Sequence, residues 1–450
     1  MNDSSNLSDP AGSRRAFLMQ GLTALGGAAL LSMMAAGAAS GNPPALPHRK
    51  PQGPDDEAYW RQVRSLFQFE PGFTYLNNGG LGVPLREAVD LIHKGYLRYT
   101  EIGYDAESDE MFNNMWSEVR PGAAKLIGAD FNEIAIIRNA TEGLAAFAHG
   151  IDLEPGDEVL MTTHEYPAGK DAWLMKSQRY GIKIREVRIP SPPSSKEEVV
   201  EIFRSGITPR TKVMAFCHIT RGAGLLYPAR ELCALAREHG LMTAVDGAQA
   251  VGQMPVNVHD IGCDLYTASL HKWALTPAGT GVLYVRKEFH KRFWPLIQGS
   301  GGGDWNALDA GAMRYEAIGT HEIPLRSAMA PSLKLLDAIG LDHITARNRL
   351  LSNYLKAELA KIPEVRLATS TSEELSSPGI TSFSVKKWRG TQLDWLLRNE
   401  YRIRVASDQM DDNDLMRIST HFYNTKEEID FTLSALKTII RIGHEKLGAG

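Results

Sequence analysis

Seven short apolar runs punctuate the chain between residues 134 and 285: IAIIRNA, DEVLMTT, KIREVRI, KVMAFCHI, LMTAVD, DLYTASL and GVLYV. Most are near-continuous rather than alternating, which is the pattern of strands buried on both faces. Between them lie stretches with helical spacing of apolar residues, such as YPARELCALAREHG. This alternation predicts an α/β fold whose large domain is a mostly parallel seven-stranded sheet covered by helices. From about Ile323 the pattern changes to one long helix ending near Lys361, then strand candidates VRLAT, GITSFSV and YRIRVA and the helices TQLDWLLRNE and KEEIDFTLSALKTII. Strands and helices in that order predict a smaller C-terminal α+β domain. The expected division is residues 59–322 for the large domain with its N-terminal segment, and 323–450 for the small one.

Composition removes several function classes. A net charge of −4 gives no electrostatic case for nucleic acid or an anionic membrane surface. The three cysteines make no disulfide framework, and no Cys or His spacing suggests zinc, so no metal is expected. No repeat occurs at solenoid spacing. Residues 1–38 read differently: SRRAFLMQ precedes an Ala/Gly-dominated run with small residues suited to cleavage near Ala38. This looks like a twin-arginine export signal. A membrane anchor is the alternative, and the scarcity of Leu and Ile argues against it. The expectations are a periplasmic protein handled by the twin-arginine translocation machinery, without a stable anchor. Residues 39–58 read as a linker, since Asn42 to Pro54 is rich in Pro and Gly. QGSGGGDWNALDA reads equally as a substrate-side loop or a plain linker, and the run Asp411 to Asp414 as a solvated turn.

The densest chemistry lies between Ala244 and Trp273. Asp246 ends the apolar run LMTAVD, and ligands of open α/β sheets collect at strand ends. Gln249 follows three residues later, then Ser269, His271 and Lys272 in SLHKW. A lone lysine in a loop is ordinarily a solvated charge, and a lone strand-end Asp is often a cap. Together, an acid and a lysine in one site are what pyridoxal phosphate requires: the lysine holds the aldehyde as a Schiff base, and the carboxylate keeps the pyridine nitrogen protonated. In a dry site the lysine's pKa should fall, freeing the neutral amine.

The order Asp-x-x-Gln, Ser-x-His-Lys and TPAGTGVLYVRKE resembles the class V aminotransferases of pyridoxal phosphate fold type I, from about Tyr75 to the C-terminus. The resemblance implies that Gln249 reaches the cofactor's phenolic oxygen. It implies a phosphate cup at Ala140, Thr141 and Glu142 in NATEG, at a helix N-terminus, completed by Ser269 and His271. Gly319 and Thr320, in RYEAIGT, correspond to the segment that reaches the phosphate of a neighbouring subunit, which implies a homodimer. Arg417 corresponds to the residue that holds the substrate's α-carboxylate in a bidentate fork, and Asn78 is assigned to substrate binding with it.

Two positions depart from that family pattern. In TTHEYPA the ring-stacking position of the desulfurases is Tyr166, as in the isopenicillin N epimerase-like branch; His164 is either a core histidine or a neighbour of the site. In CHITRGAG, Arg221 replaces an asparagine, and it either binds a second substrate carboxylate or pairs with a structural acid. Cys217, Cys233 and Cys263 all precede Lys272, whereas a desulfurase needs a mobile thiol downstream. The expectation is transamination of an amino acid or peptide-like metabolite, with Lys272, Asp246 and Tyr166 as catalytic residues. Epimerisation, with Tyr166 as second acid, and C–S lysis are the alternatives, as is a silent binding protein that kept the fold. Compartment and family together suggest maturation of a pyoverdine-type siderophore.

Overall fold

A computed structural model describes residues 47–103, 110–299, 308–410 and 413–443. The expected signal peptide lies outside the described residues, as do the first part of the linker, most of QGSGGGDWNALDA, and Asp411 and Asp412. Among the described residues no helix is long and apolar enough to cross a membrane.

All seven apolar runs form one sheet. Its spatial order is Ile134–Ile137, Gly281–Val285, Leu265–Ala268, Met242–Asp246, Thr211–Cys217, Glu158–Thr162 and Lys183–Val187. Only Gly281–Val285 runs antiparallel to its neighbours. Six of these strands are buried throughout or nearly so, which explains their apolar runs; Lys183–Val187, at the sheet edge, is half exposed. The strands Glu158–Thr162, Thr211–Cys217 and Met242–Asp246 pair in parallel with their ends aligned, so Thr162, Cys217 and Asp246 come out at one edge. The crevice outside those carboxyl ends is where such sheets place ligands.

Helices cover both faces, and local signals start them. Asn139 caps Ala140–Gly150 by accepting from the Glu142 N–H, and Ser195 caps Lys196–Gly206 in the same way. The long helix expected from Ile323 to Lys361 is three helices: Ile323–Ser327, Ala330–Ile339 and Leu341–Leu359. Pro331 in the first turn of the second removes a backbone donor, and Gly340, at φ 90°, takes a conformation closed to other residues, so the chain turns at both points.

The second domain holds a four-stranded antiparallel sheet ordered Ala406–Met410, Asn413–Ser419, Ile380–Val385 and Val365–Leu367. Helices Leu341–Leu359, Gly390–Tyr401 and Lys426–Ile442 pack on it. The boundary expected at 323 moves, because Leu333, Leu336, Ile339 and Ile344 pack into the large core, while the separate small core takes Leu351, Leu355 and Leu359. The N-terminal segment also crosses over. Thr74–Tyr75 pairs with Ile403–Arg404, and Leu76 enters the small core.

Candidate active site

Three elements of the large domain and one strand of the small domain converge on Lys272. The side-chain amine lies 5.6 Å from the centre of the Tyr166 ring, and the Arg221 guanidinium lies 5.5 Å from the same ring. Asp246 is buried at its strand end, with Oδ1 accepting the Ala248 N–H at 2.9 Å. Burial pushes the Lys272 amine down to about 8; Asp246 pulls it up, while Arg417 and Arg221 push it further down. The Asp246 carboxyl is raised by burial and lowered by Lys272. Desolvation therefore dominates both groups and favours the neutral amine.

The loop carrying Lys272 is held from several directions. Gly82 donates to the His271 carbonyl at 2.8 Å, and a side chain at Gly82 would collide with the Lys272 carbonyl, so only glycine fits there. Asn78 Nδ2 donates to the Lys272 carbonyl at 3.2 Å, and Tyr423 donates to Asn78 Oδ1 at 2.6 Å. His421 bonds the Trp273 carbonyl through Nε2 at 2.9 Å and accepts the Phe422 N–H at Nδ1, which assigns the proton to Nε2. Asn78 is fully buried with both amide ends in use. Asn78 therefore brackets the loop that carries Lys272.

Gln249 also braces this loop. It is buried, its Oε1 accepts the Trp273 indole N–H at 2.8 Å, and its Nε2 donates to the Gly79 carbonyl at 2.9 Å. One amide hydrogen is left for a ligand. The cup residues stand together at the start of Ala140–Gly150, where Ser269 Oγ accepts the Ala140 N–H at 2.9 Å and Thr141 is exposed. Glu142 belongs to the cup by position only, since its N–H serves Asn139 and its carboxylate accepts from Arg138 N and Nε. The helix cap is Asn139. His271 is half-buried, with Nδ1 at 3.1 Å from the Thr280 carbonyl. Gly319 and Thr320 are exposed on the protomer, and Gly319 has φ 89°.

Arg417 stands on the strand Asn413–Ser419 and is buried. Nη2 donates to Asn77 Oδ1 at 3.0 Å, Nη1 lies 3.7 Å from Asp408 Oδ2, and Nε has no partner among the described residues. Burial lowers its pKa to about 10, against the pull of Asp408. Arg221 pairs with the same acid, Nη2 to Asp408 Oδ1 at 2.6 Å. His164 is buried with Nδ1 at 3.1 Å from the Tyr227 hydroxyl, as a core histidine would be.

Sequence reasoning missed Asn77, Asp408 and Glu165. Glu165 and Asp246 line one cavity beside Tyr166. Glu165 accepts from Thr162 Oγ1 at 2.6 Å, and burial, with Asp246 nearby, raises its carboxyl to about 8. The signal for Glu165 was its place beside Tyr166; for Asn77 and Asp408 there was none. All three cysteines are buried with raised thiol pKa values, Cys233 to about 12. Away from the site, Asp130, Glu133 and His259 bring ligand atoms within 4.8 Å of one another, but Glu133 caps the Asp130 N–H and bonds His259 at 2.6 Å, a complete structural account.

An amine poised to be neutral, a buried acid, and a helix N-terminus with a hydroxyl beside it suit an anionic aldehyde cofactor. The chain is similar to isopenicillin N epimerase of Streptomyces clavuligerus, at 31% identity over 85% of this chain and 98% of that one. It is similar to a probable cysteine desulfurase of Pyrococcus abyssi, at 26% over 82% and 94%. Among solved structures, a complex of a cystine C-S lyase with its product cysteine persulfide superposes with a TM-score of 0.74 at 25% identity, over 81% of this chain and 97% of that one. A cysteine desulfurase of Escherichia coli has the same fold, with a TM-score of 0.75 at 23% identity over 85% and 98%. The profile of the class V aminotransferases matches residues 85–431, and the chain belongs to that pyridoxal phosphate-dependent family.

Proposed function

We propose that this protein removes the α-proton of an amino-acid or peptide-like substrate with Lys272 as base, and that transamination is the outcome. The observation that carries the reading is the Lys272 amine, brought to about 8 between Asp246, Tyr166 and two guanidiniums. Bound pyridoxal phosphate would supply the electron sink that makes the α-carbon acidic. Its fit rests on the donor set: Asp246 for the pyridine nitrogen, and Ser269 with the Ala140–Thr141 backbone for the phosphate. Lys272 would hold the aldehyde and then move the proton; Tyr166 would cover the ring, and Arg417 would orient the substrate carboxylate. A thiol-based desulfurase is disfavoured, since every cysteine is buried.

Epimerisation is the second reading, favoured by the 31% identity to an enzyme of that name and by Tyr166, whose hydroxyl would be the second proton carrier. A homodimer is proposed on the exposed Thr320 segment and on large apolar side chains left exposed, among them Leu97, Trp294 and Ile297. Twin-arginine export to the periplasm and action on a pyoverdine-type siderophore remain proposals resting on the N-terminal motif and the family.

The test uses amino-acid candidates in heavy water without a keto acceptor. Transamination would release about one keto product per site, by the stoichiometry of its half-reaction. Continuous deuterium uptake at the α-carbon with inversion would overturn it in favour of epimerisation.

A further inference from the structure

We propose that Arg221 determines substrate specificity by receiving a second acidic group, so that the preferred substrates carry two carboxylates. The inference rests on the reading above, in which Arg417 takes the first carboxylate. Sequence left two roles open for Arg221, a ligand for substrate or a partner for a structural acid, and the geometry supports both at once. Asp408 holds Arg221 through one nitrogen, Nη2, to Oδ1 at 2.6 Å. Nε and Nη1 make no hydrogen bond among the described residues, and 37% of the side chain is exposed. Asp408 is 2% exposed and Arg417 5%, so the anchor and the first arginine are interior while Arg221 is open to solvent.

The charges point the same way. Asp408 is one carboxylate between two guanidiniums, so the pair keeps a surplus positive charge. Both guanidiniums also disfavour the charged form of Lys272, which places their fields at the reacting amine. The Arg221 guanidinium lies over the Tyr166 ring, 5.5 Å from its centre, and that contact together with the Asp408 bond restrains it on one side. A planar fork fixed on one side and open on the other suits a carboxylate better than a mobile ammonium would.

The experiment is calorimetric titration of the cofactor-loaded enzyme with glutarate and with butyrate, which match in chain type and differ by one carboxylate. Wild type should bind glutarate at least about tenfold more tightly, and Arg221→Gln should lose about that factor for glutarate while leaving butyrate unchanged. Arg221→Lys should recover only part of it. Equal affinities in wild type would overturn the proposal, and so would parallel losses of both ligands in Arg221→Gln, which would make the residue a structural partner of Asp408. The cofactor reading fails separately, by absence of a borohydride-trapped adduct on Lys272.

Discussion

Shifting the Lys272 amine from 10.5 to about 8 changes how much of it can react. At pH 7.5 an ordinary lysine is neutral in about one molecule per thousand, whereas an amine at 8 is neutral in about one in four, a gain of roughly 200-fold. Three neighbours set that value beyond burial, and they act in opposite directions. Asp246 favours the ammonium, so Asp246→Asn should lower the midpoint further, by on the order of one unit. Arg221 disfavours it, so Arg221→Gln should raise the midpoint. The assay is competitive labelling of the cofactor-free protein with a trace acylating reagent across the neutral to alkaline range, with Lys272 followed in its own peptide. A midpoint near that of surface lysines in the same sample would refute the reasoning, as would an upward shift in Asp246→Asn.

The Glu165 carboxyl stands at about 8 against 4.5, so between those values the native state holds a proton that the unfolded chain has lost. Stability of the cofactor-free protein should therefore fall as pH rises through that window, and Glu165→Gln should flatten the fall, gaining on the order of 3 kcal/mol at pH 8 in urea unfolding; equal slopes in both proteins would count against it. Native protein should expose no thiol to a disulfide reagent and all three in denaturant, since Cys217, Cys233 and Cys263 are at most 3% exposed; a fast-reacting native thiol would reopen persulfide chemistry. Replacing Arg14 and Arg15 with lysine should leave folded, cofactor-loaded protein in the cytoplasm on cell fractionation, whereas continued arrival in the periplasm would point to another export route or an anchor.

The large sheet was legible because its strands are mostly buried on both faces and leave unbroken apolar runs. The hairpin of Ala406–Met410 and Asn413–Ser419 was not, since DQMDDND has the composition of a loop and its pairing is decided by the neighbouring strand Ile380–Val385. Thr74–Tyr75 is too short to carry any period. The breaks near Pro331 and at Gly340 were written in the sequence and were outweighed by the helical spacing around them. In the site, Lys272, Asp246 and Tyr166 come together from motifs close to strand ends. The protein contacts of Asn78 and Gln249 were not legible, because an amide serves ligand and protein equally well, and only the fold brings Tyr423, Trp273 and Gly79 to them. Asp408 was invisible for the same reason, its role being set by Arg221, 187 residues away, and by Arg417 across the hairpin.

The clamp on the loop that carries Lys272 has a temporal meaning. Asn78 grips the Lys272 carbonyl only with the help of Tyr423, 345 residues further along, and the strand Thr74–Tyr75 has no partner until Ile403–Arg404 has been made. During synthesis the large sheet can assemble early, because its strands follow one another closely, but two of the braces on the lysine's loop come late: Tyr423 behind Asn78, and His421 on the Trp273 carbonyl 148 residues before it. A ribosome that stalls after the sheet leaves a product with the lysine, the acid, the cup and the braces from Gly82 and Gln249, yet without those from Tyr423 and His421. The loop that bears the lysine is thus braced in two stages, by early neighbours that precede it in the chain and by late ones just before the C-terminal helix.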